Sequence, residues 1–333
     1  MTAQASPPLV AQPSAESGAI AAFCKAGGDP LRLDILRVLS RDSFGVLELS
    51  RIFDTPQSGM SHHLKVLAKA GLVSTRREGN SIFYRRAPLA QTPELGQLQR
   101  ALLDTVDHLP LRVDVATQID AIQVERTQRS QQFFAENAGR FRQQQELIAA
   151  FELYGAQAAE MLDQCFPGGG AVALEVGPGE GAFLGILASR FARVVALDNA
   201  PAMLAQARQT AGLQRLDIEF IAGDTAAPVL SELGADCAVL NMVLHHVPSP
   251  AHIFEDLARA LRPGGSLLVT ELCRHEQAWA EQACGDLWLG FEPEDLALWA
   301  QAAGFTPARS AYIAQRNGFR VQIHQFVLGA ITA

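Results

Sequence analysis

The residues best suited to chemistry gather in one stretch of this 333-residue chain, 172–181, which reads V-A-L-E-V-G-P-G-E-G. Four apolar residues around one carboxylate predict a buried parallel strand, covered on both faces. The run then breaks into Gly177, Gly179 and Gly181. Glycine tolerates positive φ and lets a ligand lie against bare backbone. A segment of helical period follows, A-F-L-G-I-L-A-S-R-F, so the loop offers free N–H groups at a helix N-terminus, where a carboxylate or phosphate is favoured. A second apolar run, 194–197, ends in Asp198, 21 positions after Gly177. An acid at the tip of a second strand can accept both hydroxyls of an adenosine ribose. The pattern is that of a nucleoside-binding half-fold. The loop alone leaves the cofactor open, because Gly177, Gly179 and Ala182 also fit the dinucleotide fingerprint.

Further strand-like runs that would position these groups follow at 217–222, 235–240, 266–271, 309–314 and 318–328. Helical stretches alternate with the early ones, which implies a right-handed, doubly wound sheet. Only a few residues separate the last two runs, so they should form an antiparallel hairpin at the sheet edge. Ahead of the glycine loop, 112–146 is polar, Gln-rich and of helical spacing. It would act as a strut, where a Gly/Ser tether would be slack. Phe133, Phe134, Phe141 and Tyr154 lie just before the loop, available either to roof a pocket or to fill the core.

The chain is long enough for two domains, and at 48% hydrophobic and 19% charged its composition is that of an ordinary soluble protein. No apolar run reaches bilayer length, so no membrane is expected. The first residues, rich in Ala, Pro, Ser and Gln, read as a disordered tail over 1–14, with neither the basic start nor the apolar centre of a signal peptide. Cys24, Cys165, Cys237, Cys273 and Cys284 form no C-x-x-C pair, which points to a reducing compartment and a cytoplasmic address. The net charge of −8 is divided unevenly: residues 1–90 carry 11 Lys and Arg against 7 Asp and Glu, and the remainder 16 against 28. A basic head on an acidic body suits a polyanion at the head alone.

That head reads as helices. Asp29-Pro30 is a cap with proline at the first helical position, and Leu31, Ile35, Val38 and Leu39 share one face of a helix over 30–40. A short helix over 46–53 buries Leu49, Ile52 and Phe53. Thr55-Pro56 repeats the start, and the third helix stops at Gly71. The short turn between helices two and three is the helix-turn-helix spacing. On the third helix Met60, His63, Leu64 and Leu67 face inward, with His63 expected as a hydrogen-bonded core residue. Gln57, Ser58, Ser61, His62 and Lys65 face outward, short polar or basic groups that suit a major groove. Two β-prone runs flank Glu78-Gly79-Asn80, giving a hairpin whose Arg76, Arg77 and Asn80 could meet phosphate. Leu95, Leu98, Leu102, Val106 and Leu109 then form a stripe wider than one small domain needs.

Glu175 to Gly181, Asp198-Asn-Ala-Pro-Ala-Met203, Gly223-Asp224, Asn241 and Leu261-Arg-Pro-Gly-Gly265, in that order, resemble class I S-adenosylmethionine-dependent methyltransferases from about Ser130 to the C-terminus. The resemblance implies that Gly177, Gly179 and Gly181 admit the methionyl part. Asn199 and Met203 would flank adenine, Asp224 would accept from its amino group, and Asn241 would sit near the sulfur. It adds Glu175, Gly223 and Thr225 to the cofactor-binding set. No catalytic residue is assigned, since methyl transfer from a sulfonium needs mainly alignment and a dry site, and His245-His246 therefore prove little. The dispersed cysteines do not form the thiol set of an arsenic methyltransferase, and no N/D-P-P-Y/F motif of DNA-modifying enzymes appears.

In the head, S-H-H-L-K-V-L-A-K-A-G-L-V and the R-E-G-N wing resemble the ArsR family of dimeric bacterial repressors over about Ala15 to Leu109. The C-x-C pair of metal-sensing members is absent: Val46-Leu-Glu-Leu-Ser-Arg51 stands there. Asp104, Asp107 and His108 lack a completing histidine pair, so no metal is expected. The layout, with F-R-Q-Q-Q-E-L-I-A between the halves, resembles ArsR-type regulators that sense S-adenosylhomocysteine and control methionine-cycle genes. The expected fold is thus α/β with an all-α-plus-wing head: an N-terminal winged helix-turn-helix (15–92), dimerisation and connecting helices (93–130), and a C-terminal Rossmann-like methyltransferase fold with an antiparallel edge hairpin (131–333). The implied protein is a homodimeric repressor on palindromic double-stranded DNA, with S-adenosylmethionine or S-adenosylhomocysteine as effector. A working methyltransferase for a small molecule, carrying its own regulatory head, is the rival.

Overall fold

The computed structural model describes residues 15–79 and 81–329, so the expected tail over 1–14 and Asn80 lie outside the described residues. The chain divides into two compact units. One holds Ile82–Ile119 and the described residues up to Arg77; the other holds Glu78–Ser81 and the residues from Asp120 onward.

The first unit opens with α1 (Ala15–Gly27) and α2 (Pro30–Val38). The Asp29 carboxylate caps α2 by accepting from the Arg32 amide at 3.1 Å, with Pro30 at the first position, as its sequence predicts. After β1 (Phe44–Gly45), α3 (Val46–Ile52) starts where the Glu48 carboxylate accepts from the Gly45 amide at 2.7 Å. The start of α4 (Gln57–Lys69) differs from expectation: Pro56 is itself the cap residue, and the Thr55 hydroxyl turns back to the Phe53 carbonyl at 3.1 Å. Ile35, Leu36, Phe44, Leu49, Met60, Leu64 and Leu67 are fully buried and form the core of this unit. His63 is only half-buried. Its Nδ1 faces Asp29 at 3.8 Å and has no hydrogen-bond partner, contrary to the bonded core histidine expected.

The wing strands β2 (Val73–Glu78) and β3 (Ser81–Arg86) complete a three-stranded sheet of order β1-β3-β2. In α5 (Pro93–Asp107) the buried face is Gly96, Gln99, Leu103 and Val106. Leu98 on this helix and Leu109 just beyond it stay 38% and 45% exposed. The Arg86 guanidinium is held by the Asp107 carboxylate, at 2.8 Å for one of the two bonds, and by the Leu36 carbonyl at 2.8 Å. That pair occupies one member of the Asp104, Asp107, His108 trio. The helix α6 (Val113–Asn137) is a single 25-residue helix, followed by a 3-10 turn (Ala138–Arg140) and α7 (Phe141–Ile148), so the expected strut is helical but interrupted.

The second unit is built on α8 (Phe151–Cys165), β4 (Gly170–Val176), α9 (Leu184–Ala188), β5 (Phe191–Asp198), α10 (Pro201–Gln214), β6 (Glu219–Ala222), α11 (Pro228–Ser231), β7 (Ala235–Asn241), α12 (Pro250–Ala260), β8 (Leu261–Leu272), α13 (Trp279–Cys284), α14 (Pro293–Ala302), β9 (Phe305–Ala314) and β10 (Arg320–Leu328). Its sheet has the order β6-β5-β4-β7-β8-β10-β9. The pairs β6-β5, β5-β4, β4-β7 and β7-β8 are parallel, while β10 runs antiparallel to both β8 and β9. This is the Rossmann-like methyltransferase fold with its antiparallel edge pair. The order reverses beside β4, and clefts in such sheets open at the carboxyl ends of the strands at that switch point. The glycine loop leaves β4 there. The expected buried character of that strand holds, with Ala173, Leu174, Glu175 and Val176 all buried.

Candidate ligand cavities and DNA-reading helix

The outward face of α4 is as its period predicts. Gln57, Ser58, His62 and Lys65 are exposed and Ser61 is half-buried, while Met60, Leu64 and Leu67 anchor the helix from behind. Such a face presents donors and one cation without apolar groups among them. Alternate residues of a strand point to opposite faces, and on β2 Arg76 and Glu78 are buried whereas Thr75 and Arg77 are exposed. Arg76 and Arg77 thus lie on opposite faces of the wing strand, and Arg77 is exposed.

In the second unit two cavities flank the glycine loop. The larger, about 450 Å³, lies over the ends of β5 and β6 and takes in Gly177, Gly179, Asp198, Asn199, Met203, Gly223, Asp224 and Thr225. Phe134 and His246 meet edge-to-face on its wall, with ring centres 4.9 Å apart. The smaller, about 350 Å³, includes Glu175, Gly177, Gly179, Tyr154 and Asn241. Gly177 and Gly179 line both, so the loop is the wall the two cavities share. Gly177 has φ +65°, and a Cβ there would stand 2.7 Å from the Val243 side chain, so glycine is required. Gly181 lines neither cavity. A Cβ there would lie 3.3 Å from the Ala207 Cα, so its bareness lets the loop pack against α10 instead of against a ligand.

Asp198 keeps one oxygen for structure, accepting from the Ala200 amide at 2.8 Å. Burial lifts its pKa to about 6, so it is ionised at neutral pH but close to the end of its range. Thr225 is buried, and its hydroxyl donates to Asp256 at 2.6 Å. Met203 is buried under the cavity, while Asn199 and Asp224 are exposed at its rim. In the smaller cavity Glu175 is 1% exposed, and burial raises its carboxyl to about 8, moderated by the Asn241 amide 3.5 Å away. Glu175 Oε2 and Asn241 Oδ1 are both buried without a hydrogen-bond partner. Two oxygens left unpartnered at one cavity wall suit a donor-rich cationic group, such as an ammonium, whose charge would favour the ionised form of Glu175.

Behind the larger cavity lies a cluster drawn from segments far apart in sequence. His245 Nδ1 meets Glu271 Oε1 at 2.6 Å, and its Nε2 faces Asp286 Oδ1 at 4.0 Å. His246 Nδ1 is 3.8 Å from the same oxygen and 3.2 Å from the Gly285 carbonyl. Burial disfavours the charged form of His245, but the Glu271 and Asp286 carboxylates outweigh it and lift the ring to about 9. Desolvation, with the His245 ring beside it, holds His246 well below its usual value. Burial raises Asp286 to about 7, with His245 opposing. Four decades of sequence separate the histidines from Asp286, so no spacing could have joined them.

Residues 174–269 match the family model for a methyltransferase domain, and residues 28–76 that for a helix-turn-helix domain. An uncharacterized HTH-type transcriptional regulator of Methanocaldococcus jannaschii is 46% identical over 63 residues, 18% of this chain and 68% of its own length. The chain belongs to the HTH-type transcriptional regulators. The regulator is also 41% identical over 68 residues to a biofilm growth-associated repressor of Agrobacterium fabrum, 20% of this chain and 58% of the repressor. An uncharacterized 37.1 kDa protein in a transposon of Streptomyces fradiae is 38% identical over 115 residues. The match spans a third of the regulator and a third of the transposon protein. The regulator thus joins a DNA-binding helix-turn-helix domain to a methyltransferase domain. No helix among the described residues is long and apolar enough to cross a membrane.

Proposed function

We propose that the regulator is a homodimeric repressor that reads palindromic double-stranded DNA through α4, and that its methyltransferase domain takes S-adenosylhomocysteine or S-adenosylmethionine as effector to control methionine-cycle genes. The observation that carries this reading is the pair of cavities meeting at Gly177 and Gly179, with Asp198 in one and the open acceptors of Glu175 and Asn241 in the other. A ligand with a ribose at one end, an α-ammonium at the other and a sulfur between them matches that division. Asp198 takes the ribose hydroxyls, Met203 and Asn199 flank adenine, Asp224 accepts from its amino group, and the bare loop admits the chain that carries sulfur.

Two further observations support the assembly. Leu98 and Leu109 leave part of the α5 stripe exposed, which suits pairing with a second copy and two recognition helices one DNA turn apart. The likeness to a repressor favours negative control. The two nucleosides differ by a methyl group and one positive charge at sulfur. An effector needs to favour one DNA-binding state by only about 1–3 kcal/mol to give useful control.

Isothermal titration of the full chain with both nucleosides tests the proposal. Tighter binding of the demethylated form supports sensing. Tighter binding of the methyl donor, with loss of labelled methyl to an acceptor, supports catalysis instead. Absence of binding by either overturns the reading.

A further inference from the structure

The fold assembles a group of metal-ligand character that the adenosyl site does not use. We propose that His245, His246 and Asp286 bind one divalent cation of the zinc class, with Glu271 as the carboxylate behind His245. The ligand atoms of the three lie within 4.8 Å of one another. His245 and its neighbour come from the turn after β7, Glu271 from the end of β8, and Asp286 from the turn after α13.

Three features of the geometry favour an ion over a closed hydrogen-bond network. The first is the orientation of His245. Its Nδ1 is engaged by Glu271 at 2.6 Å, which fixes the ring and leaves Nε2 directed toward Asp286. Metal-binding histidines characteristically give their second N–H to a carboxylate in this way, which orients the ring and strengthens the ligand nitrogen. The second is Asp286. Its side chain is fully buried, and both carboxylate oxygens lack a hydrogen-bond partner. A buried carboxylate in that condition is expensive unless a cation or donors meet it. The third is composition: two imidazoles and one carboxylate form a three-ligand set that suits zinc and leaves a fourth position for water or an oxygen of a bound molecule.

The present separations of 3.8 Å and 4.0 Å exceed the edge of a tetrahedral zinc site, about 3.4 Å for bonds near 2.0–2.1 Å. Loading the ion therefore draws the groups inward. Asp286 has no bond to give up, and His246 exchanges its contact with the Gly285 carbonyl for the ion. His246 is also a wall residue of the larger cavity, which supplies the ion's route from solvent.

The test uses the full chain, stripped with a chelator and titrated with Zn²⁺ and, for its visible spectrum, Co²⁺. One ion per chain is expected, with the absorption of a tetrahedral N/O site and a rise in melting temperature that follows ion concentration. Asp286→Asn, nearly isosteric, and His246→Gln should each weaken binding at least tenfold, and Glu271→Gln about 10- to 100-fold. His108→Gln, on the exposed end of the head, should leave the titration unchanged. The proposal fails if the wild-type chain takes up no ion, or if Asp286→Asn or His246→Gln binds as the wild type does. Should Asp286→Asn prove unfolded by circular dichroism, His246→Gln decides alone. None of these readouts involves a nucleoside.

Discussion

Asp198 gives the adenosyl reading its most exposed point. One of its oxygens is committed to the Ala200 amide at 2.8 Å, so the other oxygen and the remaining lone pairs must serve the ribose. A hydrogen bond to a charged group contributes about 1.5–3 kcal/mol. Losing two therefore costs at least about 3 kcal/mol, and each 1.4 kcal/mol is tenfold in affinity. Asp198→Ala should weaken nucleoside binding by about 100-fold at pH 7.5. Asp198→Asn, which can still accept from Ala200 and so keeps the turn, should lose at least about tenfold. The wild type carries its own internal control, because burial raises this carboxyl to about 6. Below that value it is neutral and accepts poorly, so affinity at pH 5 should be about tenfold lower than at pH 8, whereas Asp198→Asn should show no such decline. Isothermal titration across pH 5–8 measures all three. Binding by Asp198→Ala within threefold of the wild type would refute the assignment.

Other expectations follow from the two units. The Glu175 carboxyl, raised by burial to about 8 from 4.5, binds a proton in the folded state that the unfolded chain has already lost between those values. This one group should therefore lower stability by up to about 1.4 kcal/mol per pH unit from pH 5 to pH 8, and Glu175→Gln should make the protein's overall slope shallower by that amount. Parallel urea-unfolding curves for the two proteins across that range would contradict it. In the head, Lys65 is the cation exposed on the outward face of α4, where the proposed function would have it meet phosphate. Lys65→Ala should weaken DNA binding uniformly across sequences and lower the salt slope by about one, read from binding isotherms at several salt concentrations.

Much of this was legible from residue order. The run 172–176, the acid ending the next strand and the short gap before the last strand all translate directly into topology, because strand burial and turn length are local properties. The cap at Asp29 was equally plain. What escaped was set by geometry beyond the local pattern. Arg76 and Arg77 look alike in sequence, and alternation gives no firm phase, because buried Val73 and buried Glu78 stand on opposite faces of the strand. Gly181 shares a motif with Gly177, yet its neighbour is α10, whose approach depends on how the loop folds back. The cluster around Asp286 depends on the register of β8 beside β7, which brings Glu271 under His245.

The proposed function requires that binding of the adenosyl ligand and binding of DNA be coupled. Fluorescence anisotropy of an operator duplex, titrated with the regulator at fixed salt in the absence and presence of saturating S-adenosylhomocysteine or S-adenosylmethionine, measures it directly. A coupling of about 1–3 kcal/mol predicts a change of about 5- to 150-fold in DNA affinity with at least one nucleoside. Identical isotherms under conditions where calorimetry shows the cavity filled would mean that the two sites are uncoupled and the domain is no sensor.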